Sequence, residues 1–472
     1  MSRPARTPLR PTLLRRSLAA LSGGALAAVT LAALSTTDAD VVPAAATTAR
    51  AANVVTPGDF TGYGFDQCHT PDQTAMNAWR RSSPFWAVGV YMSGASRACR
   101  DQPNLTPQWV STQLRKGWRI LPITLGPQAS CQPRFPRYGN DETIIPKPGD
   151  NGRYGKARKQ GRAEATKSVA AAQGLGIVGG STLWYDLEGF EVSNIRCRES
   201  ALAFLSGWSA QIRELGYMSG VYSSAGSGIK MLDDARHDDR PGIALPDQIW
   251  VARWDGQANT DTEAQYLRPD GWRPHARVKQ YQGGHNETWG GVTINIDRNF
   301  LDLGTGSVAV PETHCGGVKI AFGMYQTLKP GTGNDAPSEG KVKVVQCLLQ
   351  EQGFYRGNIS GIYNARTQAA VQAWQTKKEF PVSTTWNKRN WVSLLVAGDR
   401  PVIKFGSASP AVRRVQRALN AVVDRATPLR ASGVFDTPTT VALKTYQDRV
   451  GLDPNGVVAA PTWKALADGQ RR

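Results

Sequence analysis

The sequence predicts an α/β protein, a TIM-like β/α barrel with helix-poor last strands, followed by two small all-α three-helix modules. Three observations lead there. Between Gly62 and Gly304 eight short segments read as strands, several of them continuous apolar runs of the kind that parallel strands show when both faces are covered. The early connections between them are long enough for helices, whereas the later ones are polar and rich in Gly. Beyond residue 340 a helical pattern occurs twice with matched Gly, Thr, Gln and Trp positions.

The predicted strands are 63–67, 87–92, 120–125, 183–187, 220–223, 249–254, 278–282 and 294–297. Thr106-Pro107 gives a cap and first turn to a helix reaching Lys116; a second runs over 154–173, and a third over 198–215 with Gly216 as its stop. The stretch 256–274 has no sustained apolar period, and 283–293 reads as a Gly, Asn and His-rich turn. The expectation is a parallel barrel finished by a β segment with little or no helix.

The ends of the chain carry different signals. Arg15-Arg16 precede a small and apolar stretch from Leu18 to Leu34, and Ala44-Ala45-Ala46 offers small residues for cleavage, so 1–46 is expected to be an export signal, by the twin-arginine or the ordinary secretory route. That apolar stretch is short and alanine-rich for a permanent membrane span, and none is expected after cleavage. The barrel is expected over 53–304 and a Gly, Pro, Ser and Thr-rich linker over 305–340. Module 1 should occupy 341–397 and module 2 404–468.

The chain has 472 residues and a formal charge of +18, and cleavage of 1–46 would remove five Arg and two Asp and leave +15. Such a charge favours anionic polymers. The expected partner is peptidoglycan or another anionic cell-wall polymer rather than nucleic acid, because no recognition helix, zinc finger or aromatic RNA-binding motif occurs. Six cysteines in an exported chain point to disulfides. Cys68 with Cys99 and Cys131 with Cys197 would each follow the ends of neighbouring strands, which leaves Cys315 and Cys347 for the third.

Asp186-Leu187-Glu188, at the end of the run Thr182-Leu183-Trp184-Tyr185, carries the chemistry. Residues i and i+2 of a strand point to one side, so both carboxyls project together at the end of the barrel where active sites lie. Close acids in a partly dry site drive their pKa values apart, one staying protonated to donate and its neighbour staying charged, which is what glycoside hydrolysis requires. A strand end with two solvated acids is the alternative. A metal site and a cofactor are not expected, since the histidines at 69, 237, 275, 285 and 314 have no ligand spacing, and a serine nucleophile elbow is absent.

The repeats resemble the three-helix peptidoglycan-binding module of wall hydrolases. Val345-Gln346 with Leu349 recurs as Val415-Gln416 with Leu419, Gly361 and Thr367 as Gly433 and Thr439, and Trp391 with Leu394 as Trp463 with Leu466. In the first copy Trp386-Asn387-Lys388-Arg389 stands where the second has the turn Gly456-Val457-Val458.

The barrel segment resembles the glycoside-hydrolase-like domain of secreted actinobacterial proteins, itself similar to family 25 lysozymes. The resemblance lies in Gly64-Phe65-Asp66, Tyr185-Asp186-Leu187-Glu188, Gly220-Val221-Tyr222-Ser223, the run from Ile249 to Trp254, Gln280-Tyr281 and Ile296-Asp297. It implies Glu188 as general acid, with Asp186, Asp66 and Asp297 lining the cleft. Tyr222, Trp254, Arg253, Gln280 and Tyr281 are expected to contact substrate. Trp184, Tyr222 or Trp254 would desolvate Glu188 and hold it neutral while Asp186 and Asp66 stay charged, and Arg253 or Arg298 would instead pair with the acids if these were structural. After the first aspartate this chain has Gln67-Cys68-His69 where the lysozymes continue with Ser and Gln. A hydrolase and a non-catalytic wall binder that has kept the sugar cleft both remain compatible with the residues.

Overall fold

The structure is a computed structural model that describes residues 52–306, 308–333, 336–422 and 427–472. The expected signal segment, 1–46, lies outside the described residues. Eight strands close into a barrel in chain order. They are β1 (Thr61–Asp66), β2 (Ala87–Ser93), β3 (Arg119–Thr124), β4 (Thr182–Leu187), β5 (Met218–Ser224), β6 (Gln248–Ala252), β7 (Arg277–Trp289) and β8 (Val292–Asp302). Between the first six lie α1 (Gln73–Ser82), α2 (Pro107–Arg115), α3 (Gly155–Gly174), α4 (Ile195–Glu214) and, after a single π turn at Ala225–Ile229, α5 (Lys230–His237). The helices start where side chains cap them: Asp72, Thr106 and Asn194 each accept from the backbone amide three residues on.

The end of the barrel departs from the expected parallel arrangement. β7 is parallel to β6, but β8 runs antiparallel to both β7 and β1. The stretch 283–293, expected to be a turn, is mostly ladder. The reversal uses two residues, Gly290 and Gly291, both at positive φ (60° and 80°), the backbone of a tight hairpin that matches strand twist. Gly283 and Gly284 sit instead at a register shift between Gln282 and His285, a bulge inside β7.

Inside the barrel Phe60, Leu121, Trp184, Trp250, Val278 and Leu301 form one buried cluster, and a larger one fills the space between strands and helices around Trp79, Trp118, Tyr185, Phe204 and Trp208. Trp184 therefore belongs to the barrel floor, packed edge-on against Trp250 at 5.6 Å, and is fully buried beneath the cleft.

The C-terminal helices are α6 (Ala336–Glu351), α7 (Ala365–Lys377), α8 (Lys388–Leu395), α9 (Pro410–Val422), α10 (Thr437–Arg449) and α11 (Ala460–Ala467). The repeated polar residues prove to be one hydrogen-bond device used twice. Gln346 donates to Ile362 O (3.0 Å) and Thr367 Oγ1 (2.9 Å) and accepts from Gly361 N (2.9 Å). Gln416 donates to Val434 O (2.9 Å) and Thr439 Oγ1 (3.0 Å) and accepts from Gly433 N (3.0 Å). Where Gly456 N donates to Gln447 Oε1, the first copy uses Ser383 N to Gln375 Oε1 at 2.7 Å, which is how its final turn dispenses with the glycine.

The segment expected as a linker is not a free spacer. α6 begins at Ala336, and Leu328 and Trp386 exchange both backbone hydrogen bonds at 2.8 Å. Trp391 donates to Gln326 O, and Glu312 pairs with Arg417 at 2.7 Å. Disulfide Cys315–Cys347 ties the segment to α6. The second repeat also closes the strand-start end of the barrel. Lys404, fully buried, donates to Ser83 O (2.8 Å) and Arg80 O (3.1 Å) with its Nζ over the Trp86 and Trp118 rings at 4.4 and 5.3 Å. Phe405 packs on Tyr63 at 5.1 Å, and Trp86 donates to Ser407 Oγ at 3.2 Å. No helix of the described residues is long and apolar enough to cross a membrane.

Candidate active site

Four carboxyls meet at the C-terminal end of the barrel strands. β4 delivers Asp186 from its interior face, and Glu188 follows one step beyond the strand, so the i, i+2 alternation lifts Glu188 to the mouth while Asp186 stays inside. β1 ends in Asp66, and the antiparallel register sets Asp297 of β8 directly opposite it. Glu188 forms part of the wall of two neighbouring cavities. One, of about 240 Å³, is lined by Asp66, Tyr91, Arg137, Glu188, Asn295 and Asp297. The other, of about 430 Å³, is lined by Glu188, Tyr222, Ala252, Arg253, Trp254 and Tyr266.

Fixed amides orient the acids. Asn299 donates to Asp66 Oδ1 at 2.6 Å and Gln280 to the same oxygen at 3.2 Å. Asn299 in turn accepts from Trp250 Nε1 (2.8 Å), and Gln280 accepts from the Tyr222 hydroxyl and from Trp254 Nε1, both at 3.0 Å. Gln128, fully buried, clamps the strand end: it donates to Asp186 O at 2.7 Å and accepts from Glu188 N at 2.8 Å. Tyr91 donates its hydroxyl to Asp186 Oδ2 at 3.3 Å, and Asp186 Oδ1 is buried without a partner among the described residues.

No cation pairs directly with any of the four among the described residues, so burial governs their protonation. It pushes Asp66 well above the usual carboxylate range, reinforced by Asp297 and offset in part by the Asn299 and Gln280 amides. Asp186 is pushed well up by burial and then by the charges of Glu188 and Asp66. Asp297 rises to about 6, chiefly through burial, with a hydrogen bond from Asp66 opposing the rise. Glu188 is raised by burial too, but Arg134 and Arg137 pull it back. The expected rise at Glu188 is present, but Asp66 and Asp186, expected to stay charged, are driven harder toward the neutral form, and Arg134 and Arg137 oppose the rise at Glu188.

Two disulfides brace this rim. Cys68–Cys99 joins the loops after β1 and β2, and Cys131–Cys197 ties the long loop after β3 to the first turn of α4, holding the segment that carries Gln128, Arg134 and Arg137 over Glu188.

Not every expected contact residue reaches the cleft. Trp254, 64% exposed, lies on Gly283 so closely that a Cβ there would come within 2.4 Å of its ring, which leaves an open aromatic face at the second cavity. Arg253 lines the same cavity, but Glu263 holds its guanidinium (Nε to Oε2 2.9 Å). Tyr281, one residue after inward-facing Gln280, turns to the other face of β7, is buried, and lines neither cavity. Arg298 pairs with Glu287 rather than with a site acid. Sequence reasoning missed Tyr91, Gln128, Arg137, Asn295, Tyr266 and Asn299. Asn299 was within reach, because it repeats the i, i+2 step from Asp297; Gln128 and Arg137 lie on a loop whose course only the fold sets.

Among the described residues, Cys315, Cys347 and Glu351 are the group with metal-ligand spacing, and both sulfurs are in a disulfide.

Residues 77–301 match the Rv2525c-like, glycoside hydrolase-like domain, and residues 338–390 and 408–466 each match the peptidoglycan-binding domain. The chain therefore carries an Rv2525c-like glycoside hydrolase-like domain followed by two peptidoglycan-binding segments. Among solved structures it is similar to the Tat-secreted protein Rv2525c of Mycobacterium tuberculosis in complex with L-tartrate, with 15% identity over 51% of this chain and 95% of that one and a TM-score of 0.34. An uncharacterized B. stearothermophilus protein matches at 18% identity over 51% and 95% of the two chains, TM-score 0.33. The modular autolysin LytC of Streptococcus pneumoniae matches at 13% over 51% and 46%, TM-score 0.31. No curated protein matches. The likeness to family 25 lysozymes rests on the sequence motifs alone.

Proposed function

We propose that this protein is an exported, wall-associated glycoside hydrolase, muramidase-like, that cleaves peptidoglycan glycan strands by acid catalysis under the direction of its two peptidoglycan-binding segments. The observation that carries the reading is Glu188, a carboxyl raised by burial and exposed to both cavities at the barrel mouth. A glycan laid across the mouth, one ring on the Trp254 face, would bring its scissile oxygen to Glu188 and exclude solvent from it, which lifts the Glu188 pKa further.

In the reaction Glu188 gives its proton to the leaving oxygen as the glycosidic C–O bond breaks. The Asp66–Asp297 pair, holding one proton between two carboxyls, keeps one negative charge to stabilise the positive charge developing at the anomeric carbon. Neutral Asp186 keeps an unpartnered oxygen with which to orient a substrate amide. Water then adds to the anomeric carbon, and its proton returns to Glu188.

A second reading has a specific observation in its favour. Arg134 and Arg137 oppose the rise at Glu188, whereas Asp66 and Asp186 are pushed well up, so the acid at the mouth is held less firmly in the protonated form a general acid needs than the two acids beneath it. Incubation of the mature protein with purified peptidoglycan separates the two. Newly released reducing ends support the hydrolase, and co-sedimentation without release from any wall preparation supports the binder.

A further inference from the structure

A third cavity, of about 550 Å³, lies away from the barrel mouth, between the segment before α6 and both repeats. Its walls come from α6, α8 and α9 and from the residues around His314, so neither repeat forms it alone. Leu348, Leu394, Leu395 and Phe322 give it an apolar side. On the polar side three buried nitrogens, Arg414 Nε, Arg417 Nε and His314 Nε2, have no hydrogen-bond partner among the described residues. His314 Nε2 approaches Glu312 only to 3.5 Å. All three are nitrogens that donate when these side chains are charged, and buried donors are rarely left without an acceptor.

The three cations are not equivalent. Arg417 is paired with Glu312 at 2.7 Å and stacked on Phe322 at 3.6 Å, and His314 is paired with Glu351 at 3.1 Å. Arg414 gives its two terminal nitrogens to the carbonyls of Ala397 and Asp399 and lies over the Trp463 ring at 5.7 Å, and no carboxylate pairs with it directly among the described residues. A half-buried guanidinium whose Nε has no acceptor, and whose nearest carboxylates, Asp399 and Glu312, act only from a distance, is an incomplete site.

We propose that this cavity binds a short wall peptide whose last residue is small and aliphatic, its free C-terminal carboxylate seated on Arg414. The proposal rests on the wall-binding reading above and names what the paired repeats recognise there: the peptide stem rather than the glycan. Disulfide Cys315–Cys347 fixes the segment that forms the cavity's far wall.

The test uses the mature chain, titrated calorimetrically with a soluble stem tetrapeptide and with the same peptide carrying a C-terminal amide. The acid should bind about tenfold or more tightly than the amide, the worth of a charge-assisted hydrogen bond, and Arg414→Gln should abolish that preference while circular dichroism stays unchanged. Equal binding of acid and amide by the unmodified protein overturns the proposal, whether or not the variant folds, as does a preference for glycerol phosphate over the peptide. Sedimentation with whole peptidoglycan separates the two levels of inference. Retention on the wall together with indifference to the peptide removes this site and leaves the wall-binding reading standing, whereas loss of retention removes both.

Discussion

Asp66 and Asp297 face each other across the antiparallel β1–β8 ladder and share a hydrogen bond between their carboxyls. Burial pushes Asp66 well up even though the Asn299 and Gln280 amides on its Oδ1 oppose the rise, and Asp66 is the more deeply buried of the two, so Asp66 is the member favoured to carry the proton and Asp297 the acceptor. The reversed last strand is what creates this pair, since antiparallel register puts the final residue of β1 against the middle of β8.

Removing the donor should therefore move Asp297 upward. Asp66→Ala is expected to raise the Asp297 midpoint above about 6, whereas Asp66→Asn, whose amide can still donate, should leave it nearly in place. Carboxyl carbon shifts followed by NMR across pH would read this directly, and a downward move in Asp66→Ala would show that the proton resides on Asp297.

Asp186→Asn should make the protein more stable at neutral pH while slowing turnover. The sign follows from burial: a carboxyl whose folded pKa lies above its unfolded value contributes stability that is present below the unfolded pKa and lost as pH rises through the folded one. The amide imitates the neutral form at every pH. The variant's advantage in melting temperature should be large at pH 7 and vanish below about pH 4, near the unfolded pKa of Asp. An advantage independent of pH would point to packing instead.

Arg137→Gln removes a positive charge that holds the Glu188 pKa down. The Glu188 midpoint should rise, and the alkaline limb of the kcat/KM profile should move to higher pH with it. An unmoved limb would mean that another group titrates there.

The barrel and the second repeat should melt together, because Lys404 and Phe405 cover Trp86, Tyr63 and Phe300. A chain ending near Gly304 should melt well below the intact protein. Lys404→Ala leaves the carbonyls of Arg80 and Ser83 without their donor and should cost about 1–3 kcal/mol. Two separate calorimetric transitions in the intact chain would argue that the docking is weak.

Much of this was legible because strand periodicity is local. The eight strands, the long early helices and the repeated Gln, Gly and Thr positions follow from residues close in sequence; Asp186 and Glu188 follow from one strand end, whereas Asp66 and Asp297 came from the family resemblance. What escaped depends on partners far along the chain. The glycines at 283 and 284 look like a turn until β8 pairs with them, and a bulge and a hairpin use the same residue type. Tyr281 was assigned to the cleft with Gln280, although strict alternation sends neighbours to opposite faces. The stretch 305–340 has linker composition, yet Leu328, Gln326 and Glu312 find partners in both repeats. Composition cannot show a contact with a helix that comes many residues later.

The most direct test of the proposed chemistry is the rate of reducing-end release from purified peptidoglycan by the mature protein and by Glu188→Gln, each with wall binding measured alongside. Glutamine keeps the shape and hydrogen bonding of Glu188 but has no proton to give. The variant should bind the wall as well as the parent and release reducing ends roughly 10²–10⁴-fold more slowly. Release at the parent rate would contradict the assignment of the proton to Glu188, and a parent protein that binds every wall preparation without releasing any ends would contradict hydrolysis itself.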